Sequence, residues 1–132
     1  MGIRVVWDDD EKTVVRHIYE GTWTWRDFRE AVHKAWAMMH TVDHTVDAIL
    51  DLRNGDVIPK GSALYQAKYV VRHRPANGGV IVFVGASPFL KALGRTFDRV
   101  YSVLASKTVI FWADDLEQAR ELLSMVERIP PR

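Results

Sequence analysis

Two serines sit where a hydroxyl could do chemistry. Pro59-Lys60-Gly61-Ser62-Ala63 closes a loop and opens an amphipathic segment. A phosphate on Ser62 would meet the free N–H groups and the positive dipole end of a helix N-terminus. The same position suits a plain helix cap. Gly85-Ala86-Ser87-Pro88 follows an apolar run and also opens a helix, so its backbone could hold an anion. It has the outline of a nucleophile elbow, but Phe89 stands where the second glycine belongs. Ser87 therefore reads as an N-cap with Pro88 at the first helical position. A second apolar run ends in Arg53-Asn54-Gly55-Asp56. The candidates for binding a partner or an anion are thus Arg53, Asn54, Asp56, Lys60, Ser62 and Ser87, with Ser62 also the candidate for phosphorylation. No residue is nominated as catalytic, and no cofactor is implied.

Other clusters have bland readings. His40-Thr41-Val42-Asp43-His44, with Asp47 nearby, has metal-ligating residue types. It spans a helix end and a strand start, where His40 can simply meet the helix dipole. Asp8-Asp9-Asp10 lacks the spacing of a calcium loop and reads as a solvated turn. Lys68, Arg72, His73 and Arg74 make a basic helix end, read as a solvated face. Of five tryptophans, Trp25, Trp36 and Trp112 follow the core pattern. Trp7 and Trp23 are less constrained, free to line a pocket or pack under the N-terminal hairpin. His17, His33 and His73 have no partner evident from the sequence.

The elements that position these groups follow from periodicity. Ile3–Trp7 and Thr13–Glu20 alternate as strands around an acidic turn, an antiparallel hairpin. Trp25, Phe28, Val32, Ala35, Trp36 and Met39 recur at helical steps. Thr24 caps that helix and Asp27 completes its first turn, with Trp23 and Phe28 placed to form an apolar staple. Val46–Leu52 and Val80–Val84 read as buried parallel strands. Asn54-Gly55 signals a turn. A helix is expected over 63–74, stopped by Pro75. Another runs from Pro88 to about Ala105, with Gly94 its weak point. Thr108–Trp112 is the last strand, and Asp114 with Glu117 caps a closing helix. The order ββαβαβαβα predicts one α/β domain, a five-stranded mixed sheet with an N-terminal antiparallel hairpin and about four helices.

Composition narrows the function classes. The chain has 132 residues and a net charge of +1, which argues neither for nucleic acid nor for anionic membrane. Arginine outnumbers lysine two to one, a composition suited to anions and interface ion pairs. There is no cysteine, hence no disulfide and no thiolate chemistry. No apolar run reaches membrane-spanning length, and no secretory signal opens the chain, so a cytoplasmic protein is expected.

The element order, the strand end Ile49-Leu50-Asp51-Leu52-Arg53 and a following helix that opens on a serine resemble the STAS domain, the group that includes bacterial anti-sigma-factor antagonists. The Asp114-Asp115-Leu116-Glu117-Gln118-Ala119 helix is similar to that family's closing helix. The antagonists' Asp-Ser or Ser-Ser before glycine is replaced here by Pro59-Lys60-Gly61-Ser62. The hairpin and the Thr-Trp helix start are closer to the stand-alone branch of the fold. The resemblance implies a non-enzymatic regulatory domain that docks a kinase-like protein partner and is switched by phosphate on Ser62. Two other expectations stand beside it. One is a small-molecule site, lipid- or anion-type, or an enzyme, at the carboxyl ends of the parallel strands, bounded by Arg53, Asn54 and Ser87 and by Trp7 or Trp23. The other is a homodimer.

Overall fold

The computed structural model describes residues 2–55, 58–61 and 63–126; Asp56 and Ser62 lie outside them. Five strands form one sheet in the order β1-β2-β3-β4-β5: β1 Gly2–Trp7, β2 Val14–Gly21, β3 Val46–Gly55, β4 Gly78–Val84 and β5 Ile110–Ala113. β1 and β2 are antiparallel and the remaining pairs parallel. The helices are α1 Trp25–Met39, α2 Ala63–His73, α3 Pro88–Val100, the single turn α4 Ser102–Ala105 and α5 Leu116–Ser124. The α/β class and the mixed sheet expected from periodicity are what the chain adopts.

Local signals place most boundaries. Thr24 accepts from the Asp27 N–H at 3.1 Å, and Asp27 accepts from the Thr24 N–H at 2.9 Å, the reciprocal capping box read from the sequence. Ser87 accepts from the Leu90 N–H at 3.2 Å with Pro88 opening α3. The closing helix is capped one residue later than expected. Asp115, not Asp114, accepts from the Gln118 N–H at 2.8 Å, and the Gln118 side chain accepts from Asp114 N–H at 2.7 Å. Gln118 rather than Glu117 therefore closes the reciprocal contact.

Three further departures have physical causes. Asn54-Gly55 is strand, not turn, because β2 runs on beside it, pairing Glu20 with Asn54 and Gly21 with Gly55. A Cβ on Gly55 would lie 2.9 Å from the Tyr19 Cβ, so only glycine permits that approach. The third long helix breaks at Tyr101 (φ −119°, ψ 49°), not at Gly94. Gly94 stays helical with the Trp112 ring against it, 3.2 Å from where a Cβ would stand. The acidic turn is not merely solvated. Asp9 accepts from the Thr13 and Val14 N–H groups, and Asp8, with a side chain only 5% exposed, receives a two-pronged contact from Arg120 at 3.0 and 2.8 Å.

The two sheet faces are packed differently. Ile49, Val82 and Val84 face α5 and are fully buried against Ala119 and Leu123. On the other face α1 covers the β1–β2 side through Ala31, Ala35 and Met39. There α2 and α3 stand over β3 to β5, yet α2 buries no residue completely. Among the described residues no helix is long and apolar enough to cross a membrane.

Gly85 turns the chain from β4 toward α3 at φ +72°, and a Cβ there would fall 2.6 Å from Arg53 Cγ. Gly85→Ala combines left-handed strain with that collision and should lower stability by about 1–3 kcal/mol. Urea unfolding of both proteins measures the difference, and equal midpoints would contradict it.

Candidate ligand-binding cavity

Parallel pairing sets corresponding residues of neighbouring strands side by side. His17, Leu50, Phe83 and Trp112 form one row across β2 to β5. Val15, Ala48, Ile81 and Ile110 form the row below. Side chains alternate along a strand, so both rows and Tyr19 face the same way. Above them stand α1, α2 and α3. Between lies a cavity of about 230 Å³.

Its walls are overwhelmingly apolar: α1 gives Phe28, Val32 and Trp36; α2 gives Leu64, Ala67 and Val71; α3 gives Leu90 and Leu93. Each facing element also gives a small residue: Ala35, Ala48, Ala67 and Gly94. The cavity explains why the inward residues of α2 are only half-buried: they face space instead of side chains.

The rim is held by aromatic and polar contacts. Tyr19, Trp23, Trp25 and Phe28 meet edge to face in series, with centroids 5.0, 5.4 and 5.4 Å apart. Trp25 thus stands between the residues of the expected staple. Its indole N–H donates to the Lys60 carbonyl at 3.2 Å. Between α1 and α2, Tyr69 stacks on Trp36 at 5.9 Å, pairs with His33 at 2.8 Å, and lies under the Arg29 guanidinium at 3.4 Å. At the far end Arg74 donates to Gly79 O at 2.6 Å and Thr108 Oγ1 at 3.2 Å. Arg74 is therefore a wall residue, not part of a solvated basic face, and burial lowers its pKa. Gly78 makes room for it, since a Cβ there would lie 2.6 Å from Arg74 Nη2.

Two polar side chains enter the cavity from β2. His17 is 7% exposed and Tyr19 3%. Neither side chain makes a hydrogen bond to a described residue, and Tyr19 meets the Trp23 ring edge to face. Burial pulls the His17 pKa from its ordinary 6.5 down to about 4, and pushes the Tyr19 phenol up. At neutral pH both are uncharged, and each can donate and accept one hydrogen bond or more.

The sequence-nominated residues stand elsewhere. None of Arg53, Asn54, Lys60 and Ser87 lines the cavity. Arg53 grips Asp51 through Nε at 2.9 Å and Nη2 at 2.8 Å, and this holds the Asp51 carboxyl below its usual range. Asn54 and Lys60 are exposed, and Ser87 is the cap of α3. Trp23 lines the cavity, as the pocket expectation allowed, whereas Trp7 packs in the α1 cluster. His40 meets the Trp36 carbonyl at 2.7 Å, and His44 the Lys12 carbonyl at 2.8 Å. Among the described residues no group of three or more metal-ligating side chains forms. His17 and Tyr19 carried a readable signal: they lie in phase with Val15 on an internal strand, so their side chains had to point at the core. Compared with models of known protein families and with curated proteins, the sequence has no match.

His17 makes stability pH-dependent. The folded state resists protonation down to about 4, while the unfolded chain takes the proton near 6.5. Unfolding then binds a proton, so acid favours the unfolded state. The contribution is nil above the unfolded pKa, grows as pH falls from 6.5 to about 4, and levels off at roughly 3 kcal/mol. His17→Leu should lose that part of the acid slope. Urea midpoints at pH 7.5, 5.5 and 4.5 for both proteins read it, and parallel slopes would refute it.

Proposed function

We propose that this protein binds a small apolar molecule between its sheet and α2. One observation carries the reading: a cavity of about 230 Å³ with nearly uniform apolar walls, in a chain of this size. Leu64, Ala67 and Val71 of α2 turn toward this space and stay only half-buried, apolar surface that an occupant would cover. Ala67, half-buried on α2, faces the cavity and could be larger and fill part of it. An engineered apolar cavity of about 150 Å³ holds benzene, which scales to an occupant of about nine non-hydrogen atoms here. Binding is the reading these walls support, because they are nearly all apolar.

n-Propylbenzene tests it by thermal unfolding. At about one hundred times its Kd, a ligand of the folded state adds about 2.7 kcal/mol, or roughly 8 °C in a domain of this length. Ala67→Phe fills the cavity from α2. That variant should be at least as stable as the parent without ligand and should gain nothing from it. An unchanged melting curve of the parent across the probe's solubility range would refute the proposal.

A second reading follows the STAS resemblance, a cytoplasmic regulatory domain that docks a protein partner or pairs with itself. It is favoured by the exposed apolar side chains Val100, Val103 and Val109 around α4 and the start of β5, an edge strand. In this reading Ser62 is the phosphate switch and Arg53, Asn54, Asp56 and Lys60 flank the docking loop. Sedimentation velocity across a hundredfold concentration range should show self-association that Val103→Lys abolishes. A monomer at every concentration would exclude the homodimer.

A further inference from the structure

Resting on the cavity reading, we propose that His17 and Tyr19 form a polar anchor selecting an uncharged ligand with one oxygen head group, a hydroxyl or carbonyl on an apolar body. The two residues stand two apart on β2, so their side chains share one face about 6.6 Å apart at the backbone. Both are more than nine-tenths buried and both line the cavity. Neither side chain makes a hydrogen bond to a described residue. Arg16 Nε is the one described side-chain polar atom sealed in packing without a partner, so the unpaired polar atoms of His17 and Tyr19 touch open space, where an occupant can meet them.

The surroundings define that partner's chemistry. Across the sheet, the row from His17 continues as Leu50, Phe83 and Trp112, which offer no hydrogen bond in the plane of the floor except at the margin. Of the other polar lining residues, Gln66 accepts from Arg29, Thr108 accepts from Arg74, and Asp98 is exposed to solvent, so the ligand needs one polar end and a plain apolar remainder. Among the described lining residues Arg74 is the one permanent cation, and its contacts to Thr108 and Gly79 hold it at the start of β4, whereas Tyr19 stands near the end of β2. A carboxylate head placed at His17 and Tyr19 would meet two uncharged groups, which is costly in apolar surroundings. A hydroxyl or carbonyl matches a neutral imidazole and a phenol, which can give a hydrogen bond and, for the hydroxyl, take one back.

Isothermal titration at neutral pH with three probes tests the anchor: phenethyl alcohol, its isostere n-propylbenzene, and the phenylacetate anion. The readout is the ratio of alcohol to hydrocarbon affinity, which cancels the cavity's general grip. His17→Leu and Tyr19→Phe should each lower that ratio about tenfold, with n-propylbenzene held as tightly as before or better. Retained hydrocarbon binding also shows that the variant cavity is intact. Phenylacetate should bind more weakly than the alcohol to the parent. A ratio unchanged in both variants, or phenylacetate binding tightest, would overturn the anchor while leaving the cavity reading in place. Failure of all three probes to bind the parent would overturn the cavity reading and the anchor with it.

Discussion

The strand order β1-β2-β3-β4-β5 is the constraint on which the rest of this structure depends. From β2 onward the sheet advances one strand at a time, always in the same direction. Parallel crossovers are right-handed, so constant direction sends every crossover helix to the same face. Three helices, α1, α2 and α3, must therefore share the surface of four strands, while the other face is left to α5. Two consequences follow from that geometry. The α5 face can pack tightly, because one short helix with small and branched residues, Ala119 and Leu123, settles directly on Ile49, Val82 and Val84. The crossover face has to accommodate three helices whose spacing is set by each other as much as by the sheet.

The tight face is completed by charge. Asp8, in the hairpin turn, receives Arg120 from α5 and lies 3.6 Å from Arg16 Nε on β2. That Arg16 nitrogen is close enough for an ion pair but makes no hydrogen bond. Asp51 on β3 is held by Arg53 in a fork of two hydrogen bonds, the strong geometry for this pair. Both carboxylates are shielded from water; the Asp8 contacts tie the hairpin turn to α5 and β2, whereas the Asp51 fork closes within β3. Arg53 illustrates the difference between chemical suitability and availability. Its residue type and position suit an anion, yet its guanidinium is already spent on Asp51.

Much of this fold could be read from residue patterns. Val46–Leu52 and Val80–Val84 announce buried parallel strands, and the Thr24/Asp27 pair announces the start of α1. These features are local: each depends on residues within one or two turns of one another. The misplaced features depend on distant partners. Gly55 reads as a turn residue until Tyr19 is known to lie against it, and Asp8 reads as solvated until Arg120 arrives from the far end of the chain. The cavity was the least legible, because a void is a property of several elements at once, here four strands and three helices. Ala35, Ala48, Ala67 and Gly94 are unremarked singly; only the strand register and the helix placement bring them to one space. His17 and Tyr19 lay between these cases. Their phase with Val15 put them on the inner face, but nothing in the sequence told whether a partner waited there.

What keeps the void from closing is that α2 is held at its edges and not from below. Tyr69 rests on Trp36 and is pinned by Arg29 and His33, so α1 sets the height of one side. Lys68 lies over the Tyr101 ring at 5.3 Å, which ties the opposite flank to the α3–α4 break. Beyond the helix end, Arg74 reaches the first residues of β4 and Thr108. For α2 to fall onto the sheet, these aromatic and guanidinium contacts would have to break together, and the side chains it brought down, Leu64, Ala67 and Val71, are too small to replace them with equal burial. Collapse would trade directional contacts at three edges for modest apolar contact in the middle. The cavity thus persists for the reason a vaulted space does: its roof is supported at the perimeter, over a floor of two side-chain rows that do not reach up to it.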